Sequence, residues 1–449
     1  MDNKESLGTE PVGKLILKLS VPTIAAQLVN LLYNIVDRMY VGRIPQTGSL
    51  ALAGLGVTLP IIMLISSFAM LAAMGAPRAS VAMGEGDYDK AEKYLGNSAA
   101  LLIVFSVVLS AAFYFSKDII LRFFGASDNT LPFALSYISI YLTGTLFVQL
   151  TLGLNMFITN QGFAKTSMLT VCIGAVINII LDPIFIYGFK MGVKGAALAT
   201  VISQGVSCLW VLKFLTGKKT FIKLKASTMK LNKSIVVSIL VLGISPFVMQ
   251  STESLIQLTF NNGMLKYGND IYVAVMSILF SIMQLVWMPM QGFNQGVQPI
   301  IGYNYGAKRL DRVRHAFKLQ FVICLVFSIV TVALIELFPA FFMGLFSNDP
   351  ELVNTGRNAL RVFMAGMALM GAQGACQQTF IALGEAKISM FLALLRKVIL
   401  LFPLAIIIPL ATGTGVWGLF IAEPISDIIA VCTTCAMFYF RSKKILAVK

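Results

Sequence analysis

The chain has 449 residues, of which 57% are hydrophobic and only 12% charged, and its mean hydropathy is +0.82. Soluble domains carry about 25% charged residues, and so few charges cannot cover the surface of a water-soluble fold of this size, so soluble enzymes are excluded. The net charge of +15 would suit nucleic acid if it formed a patch, and its placement decides otherwise below.

A bilayer core about 30 Å thick needs roughly 20 apolar residues per helix. Twelve apolar runs meet that length. They lie near 15–41, 50–77, 95–116, 132–157, 167–189 and 194–214 in the first half, and near 235–261, 271–301, 316–338, 357–382, 388–411 and 415–440 in the second. The predicted fold is all-α, with about twelve transmembrane helices in two six-helix bundles around a central cleft. The predicted units are an amino-terminal lobe over 1–214, a basic linker over 215–234 and a carboxy-terminal lobe over 235–449. The first run is not read as a signal peptide, because its start at 2–5 is polar, it is too long, and Pro22 interrupts it. The stretch 213–233 around the link carries Lys213, Lys218, Lys219, Lys223, Lys225, Lys230 and Lys233 and no acid, and the 308–318 turn adds Lys308, Arg309, Arg312, Arg314 and Lys318. Basic residues gather on the cytoplasmic side of membrane proteins, so both termini are expected inside, facing anionic lipid. This placement absorbs the net charge without nucleic acid.

The two halves repeat each other. Ser20-Val21-Pro22 matches Ile244-Ser245-Pro246, Pro77 matches Pro299, Gly84 matches Gly306, and Gly162-Phe163-Ala164-Lys165 matches Gly384-Glu385-Ala386-Lys387. Gly192-Val193-Lys194-Gly195 likewise matches Gly415-Val416-Trp417-Gly418. The shift is nearly constant, so the gene is internally duplicated. An even number of spans per half makes the repeats parallel, with the link as a hinge strap, and such repeats around a cleft are a transporter architecture. Gly413, Gly415 and Gly418 satisfy the G-x-G-x-x-G spacing, but they lie between two apolar helices with no strand before them, which removes a dinucleotide site. No P-loop motif is present, so energy must come from an ion gradient or from nothing. The six cysteines lie inside apolar runs and read as buried small residues.

Each intramembrane acid costs about 2.5–3.5 kcal/mol on insertion scales and is a functional candidate. The first helix carries Gln27, Asn30, Asn34 and Asp37 on one face, and the seventh repeats the device with Gln250, Glu253, Gln257 and Asn261. The fifth holds Asn178 and Asp182 four apart. Depth along the helices brings Asp37, Asn178, Asp182 and Thr200 together in the outer half of the first lobe. Two carboxylates sharing a desolvated site cannot both carry charge cheaply, so this cluster is expected to take H⁺ or Na⁺. Glu423 and Asp427 offer a second cation or substrate site. Gln284, Gln291 and Gln373 complete a cleft lined with Gln27, Asn30, Asn34, Gln250, Glu253 and Gln257. Arg78, Arg361 and Arg396 are read as snorkelling cations. A cleft with acids and few bases favours positively charged, amphipathic compounds. No bound cofactor and no dedicated metal site are expected, apart from Na⁺ at the four-residue cluster.

Pro22 and Asp37 in the first helix, Asn178-Ile179-Ile180-Leu181-Asp182-Pro183 in the fifth, and Gly192 through Thr200 opening the sixth resemble the multidrug and toxic compound extrusion (MATE) transporters, most nearly their bacterial DNA-damage-inducible protein F-like branch. The resemblance covers essentially the whole chain. It implies a V-shaped pair of bundles in a bacterial plasma membrane, working as a monomer among lipids and exchanging cationic drugs or toxins for H⁺ or Na⁺. It also implies coupling at Asp37, Asn178, Asp182 and Thr200, with the first helix bending at Pro22. Other members place coupling acids on the seventh and tenth helices. Glu253 fits the former, whereas Gln373 stands near the latter, a departure that weakens a carboxy-lobe Na⁺ site. The rival reading is a flippase for lipid-linked or polysaccharide precursors, whose anionic cargo would want basic residues in the cleft. A membrane enzyme would need acid or His clusters on its loops, which are short here.

Overall fold

In a computed structural model, residues 6–347 and 349–445 are described. The polar start at 2–5, Asn348 and the last four residues lie outside the described residues. Ten helices are long and apolar enough to cross a membrane, and two bent pairs supply two more spans. In chain order the first lobe contains α1 (Val12–Gly42), α2 (Gly48–Ala73, continuing as Gly75–Gly84), α3 (Tyr88–Phe123), α4 (Leu131–Thr143 and Thr145–Asn160), α5 (Ala164–Pro183, ending in Ile184–Gly188) and α6 (Val193–Thr216). The second contains α7 (Lys233–Tyr267), α8 (Asp270–Gly306), α9 (Leu310–Leu337), α10 (Pro350–Met364 and Met367–Ala382), α11 (Ala386–Leu394, Leu395–Leu401 and Phe402–Thr412) and α12 (Val416–Ile445). Short polar caps start several of them: Asp87 accepts from Lys90 N, Asn232 from Ser234 N, Asn269 from Ile271 N and Asp349 from Glu351 N. Each such cap contributes about 1 kcal/mol. Phe115, Ile119, Phe123 and Leu209 are all more than 60% exposed, an arrangement that suits lipid and would fail in water.

The duplication is visible in contacts as well as in order. α4 bends by 60° at Gly144 and α10 by 40° at Gly366. A Cβ on Gly144 would lie 2.6 Å from Val201 on α6, and one on Gly366 would lie 2.7 Å from Pro424 on α12. In each lobe the span therefore kinks where a glycine lets its backbone meet the last helix of the bundle. The sequence reading treats both spans as single runs, because a kink leaves apolar composition unchanged.

The lobes meet along a two-fold seam. A Cβ on Gly84 would lie 2.0 Å from the Tyr303 carbonyl, and one on Gly306 would lie 2.0 Å from the Val81 carbonyl. Ser20 Oγ donates to the Phe293 carbonyl (3.1 Å), while Gly243 packs on the repeat-related Leu71 carbonyl. Thr23 Oγ1 donates to the Gly292 carbonyl (2.6 Å) and Ser80 Oγ to that of Pro299 (3.3 Å). These contacts join the starts of α1 and α7 to the ends of α2 and α8, so the seam lies at the end of the molecule that carries the basic segments. At the same end, the Ser6–Thr9 turn crosses to the other lobe. Arg309 donates to the Gly8 carbonyl (2.5 Å), Arg312 to those of Glu10 (2.6 Å) and Leu7 (3.3 Å), and Asn304 to that of Leu7 (2.9 Å).

The linker is not a loose strap. Gln161 Oε1 accepts from Thr220 Oγ1, Phe221 N and Ile222 N, Glu92 from Lys223 N and Lys225, and Asn97 Oδ1 from Asn232 N. Residues 220–232 are thus fastened along the first lobe as far as Asn232, which caps α7. Gly413 and Gly415 adopt φ of +63° and +60° in the α11–α12 hairpin, and Gly418 packs on Pro409, as expected of a turn rather than a nucleotide site.

Candidate functional site

The fifth and sixth helices form a hairpin that the Gly192-to-Gly195 motif makes possible. Gly192 takes φ +57°, and a Cβ on Gly195 would meet the Phe185 backbone at 2.7 Å. The end of α5 and the start of α6 therefore lie backbone to backbone. Pro183 has no N–H to continue the helix, and the chain widens there into the π-type turn Ile184–Gly188. Tyr187 then donates to the Tyr40 carbonyl (2.6 Å), tying this hairpin to the end of α1.

These constraints bring the expected four residues together. Asn178 and Asp182 are fully buried, Thr200 is 4% exposed and Asp37 8%. With the Asn178 amide oriented to satisfy both of its ends, its nitrogen donates to Asp182 Oδ2 (2.8 Å) and its oxygen accepts from Thr200 N (3.2 Å). Thr200 Oγ1 donates to the Ala196 carbonyl (3.0 Å). The carboxyl groups of Asp37 and Asp182 are neighbours in this cluster. One oxygen of each, Oδ1 in both cases, is buried without a hydrogen-bond partner. Two buried carboxylate oxygens without a donor, on neighbouring acids, call for a positive species beside them. Both carboxylates could hold a proton or a Na⁺ ion; among the described residues no group of three His, Cys, Asp or Glu side chains forms a metal site. Tyr33 and Tyr137, which the sequence reading passed over, stand beside Asp37 and Thr200. Tyr33 lies one helical turn before Asp37, and that spacing was the available signal.

The cleft residues divide. Gln27 donates to Gln295 across the lobes (3.1 Å) and closes the α1–α8 contact from above. Beyond it Asn30 and Asn34 are exposed, on a face turned away from the exposed Leu28, Leu32, Ile35 and Met39. On α7, Gln250, Glu253 and Gln257 are half-buried and turned away from the exposed Leu255, Leu258 and Leu265. At 3.6 residues per turn, each helix shows leucines outward and amides inward. Gln284 and Gln291 on α8 are likewise partly exposed.

Gln373, Glu423 and Asp427 do not reach the cleft; all are at most 3% exposed, inside the second lobe. For the two acids the reason is Arg396. It does not snorkel: it is buried, donating through Nη2 to Glu423 (3.1 Å) and through Nε to Asp427 (2.8 Å). Its neighbour Lys397 pairs with Glu253 and donates to the Met249 carbonyl (2.9 Å). The pair Arg396-Lys397 inside an apolar run was legible as two uncompensated charges, and the sequence reading did not connect it with the acids of α7 and α12. Pro22 is buried within an unbroken α1, and Thr23 Oγ1 donates back to the Leu19 and Ser20 carbonyls around it.

The MatE family profile matches residues 22–184 and again 246–407, the same duplication seen in the fold. The chain belongs to the MatE family. It is similar to the multidrug export protein MepA of Staphylococcus saprophyticus, 28% identical with 94% of this chain and 93% of the relative aligned. MepA of Staphylococcus aureus aligns to the same extent, also at 28%. A solved structure described as the outward-facing conformation of a multidrug resistance MATE family transporter superimposes with a TM-score of 0.92 at 24% identity, over 100% of this chain and 99% of that one. A MATE structure in a bent conformation gives 0.91 at 24% identity, over 99% and 98%. Family and apolar spans together make this a multi-pass membrane protein with its two bundles arranged as in these structures.

Proposed function

We propose that the protein is a secondary active exporter that moves cationic amphipathic compounds out of the cell in exchange for H⁺ or Na⁺. The observation that carries this reading is the Asp37–Asp182 pair, with two buried, unpartnered carboxylate oxygens at the end opposite the seam. With the basic end cytoplasmic, the side favoured by the lysines of the link and the basic residues of the 308–318 turn, the cleft opens outward and the pair is reached from outside. A cation entering there neutralises buried negative charge and frees α1, α5 and α6 to repack. The seam then opens, a compound enters from the cytoplasm or inner leaflet, and the cation leaves inward. A shift of access needs only that the cation bind one arrangement more tightly than the other. The MepA relatives, named as multidrug export proteins, support small-molecule drugs as the cargo, and the acids of the cleft support its positive charge. The flippase reading has no observation in its favour, because Arg396 and Lys397 are each already met by acids.

The test is counterflow of a fluorescent cationic dye in proteoliposomes, with pH and Na⁺ gradients imposed separately. Dye accumulation driven by one of the two gradients is expected. Movement indifferent to both would overturn the antiport reading.

A further inference from the structure

Five ionisable side chains from three helices meet in the second lobe: Glu253 on α7, Arg396 and Lys397 on α11, Glu423 and Asp427 on α12. α10 meets this stretch through the backbone of Gly366. Three carboxylates face two bases, so one negative charge is in excess. That excess has an address: Glu423 Oε2 is buried and has no hydrogen-bond partner, on a residue 3% exposed. An uncompensated oxygen of this kind is costly, and the cluster therefore fits one further positive group.

The direction of approach follows from exposure. The side chain of Glu253 is 23% exposed, against 11% for Arg396, 8% for Lys397, 4% for Glu423 and 2% for Asp427. Glu253 also shares the inward amide face with Gln250 and Gln257. The cluster is thus open to the cleft at Glu253 and closed elsewhere, with Lys397 standing on the open position.

We propose that Lys397 is a tethered counter-ion that a cationic substrate displaces, and is therefore the residue that sets how strongly positive charge is selected. The substrate's positive group takes Glu253 from the cleft, and Lys397 Nζ turns toward the unpartnered Oε2 of Glu423 in the same cluster. Afterwards three carboxylates face two bases and one substrate charge, and the cluster is neutral. A neutral compound cannot make this exchange, because displacing Lys397 would leave Glu253 bare. This rests on the cation-export reading and deepens it by naming where the cargo's charge is received.

The experiment measures binding of rhodamine 6G, a cationic dye, and Nile red, a neutral one, to the purified full chain by fluorescence anisotropy. Lys397→Met is expected to tighten rhodamine 6G about tenfold, a modest charge-pair effect, and to leave Nile red unchanged. Lys397→Arg should resemble the wild type. Glu423→Gln, which keeps the shape of the site but removes the receiving charge, should weaken rhodamine 6G about tenfold, and it decides the matter even if Lys397→Met does not fold. Equal effects on both dyes, no gain in a folded Lys397→Met, or no loss in Glu423→Gln would each overturn the proposal alone. A wild type that binds Nile red and ignores rhodamine 6G would overturn the cation-export reading, and this proposal with it.

Discussion

At the scale of single residues, the two lobes handle buried acids in opposite ways. Asp37 and Asp182 are paired with each other, while Glu423 and Asp427 are paired with Arg396. The first arrangement leaves charge for a visitor and the second mostly consumes it. Asp37→Asn or Asp182→Asn is therefore expected to cut gradient-driven dye efflux to the level of empty liposomes, with membrane insertion intact. Full transport by both variants would falsify the coupling role. Arg396→Leu should instead act on folding, since removing one partner of a buried ion pair costs about 3–5 kcal/mol. Thermal melts in detergent should show a large drop for Arg396→Leu and a partial recovery when Glu423→Gln and Asp427→Asn are added. The first-lobe cluster was legible because its members sit at helical spacings with a proline and glycines that fix their depth. The second was only half legible: acids stand out against apolar sequence, but which base each one meets depends on how α7, α11 and α12 are placed around one another.

At the scale of elements, the twelve spans follow from apolar length, and the repeat shift predicts which of them correspond. Composition is silent about the kinks in α4 and α10 and about the fastened linker, because Gly144, Gly366, Gln161 and Glu92 acquire their meaning only from what lies opposite them. Helix glycines separate the two kinds of position. Gly243 on α7 approaches the Leu71 carbonyl so closely that a Cβ would sit 2.2 Å away, whereas a Cβ on Gly56 of α2 meets nothing within 4 Å. Gly243→Ala should accordingly lower stability by about 1–3 kcal/mol through overpacking. Gly56→Ala should raise it by about 0.5–1 kcal/mol through the lower entropy of its unfolded chain. Opposite shifts in melting temperature check the pair, and a neutral Gly243→Ala would mean that the seam yields easily.

For the molecule as a whole, alternating access requires that the closed end be held by contacts that can be released together. The α1–α8 and α2–α7 contacts pack backbone on backbone, whereas the reach of 7–10 over the opposite lobe combines the buried Leu7 with a few polar donors, Arg309, Arg312 and Asn304. Arg312 alone donates to the Leu7 and Glu10 carbonyls and to Asn304 Oδ1 (2.9 Å). Hydrogen bonds from charged donors contribute about 1.5–3 kcal/mol each, so their loss in Arg312→Ala is enough to move a two-state balance by tenfold or more. Spin labels in a cysteine-free background report both ends of the molecule: Lys93→Cys with Lys318→Cys at the basic end, and Asp128→Cys with Glu351→Cys at the other. If the lobes rock as rigid bodies, Arg312→Ala lengthens the first distance and shortens the second in the same fraction of molecules. Lengthening at the basic end alone would mean that the 7–10 segment frays without moving the lobes, and the seam glycines, rather than the arginines, would then hold the closed state.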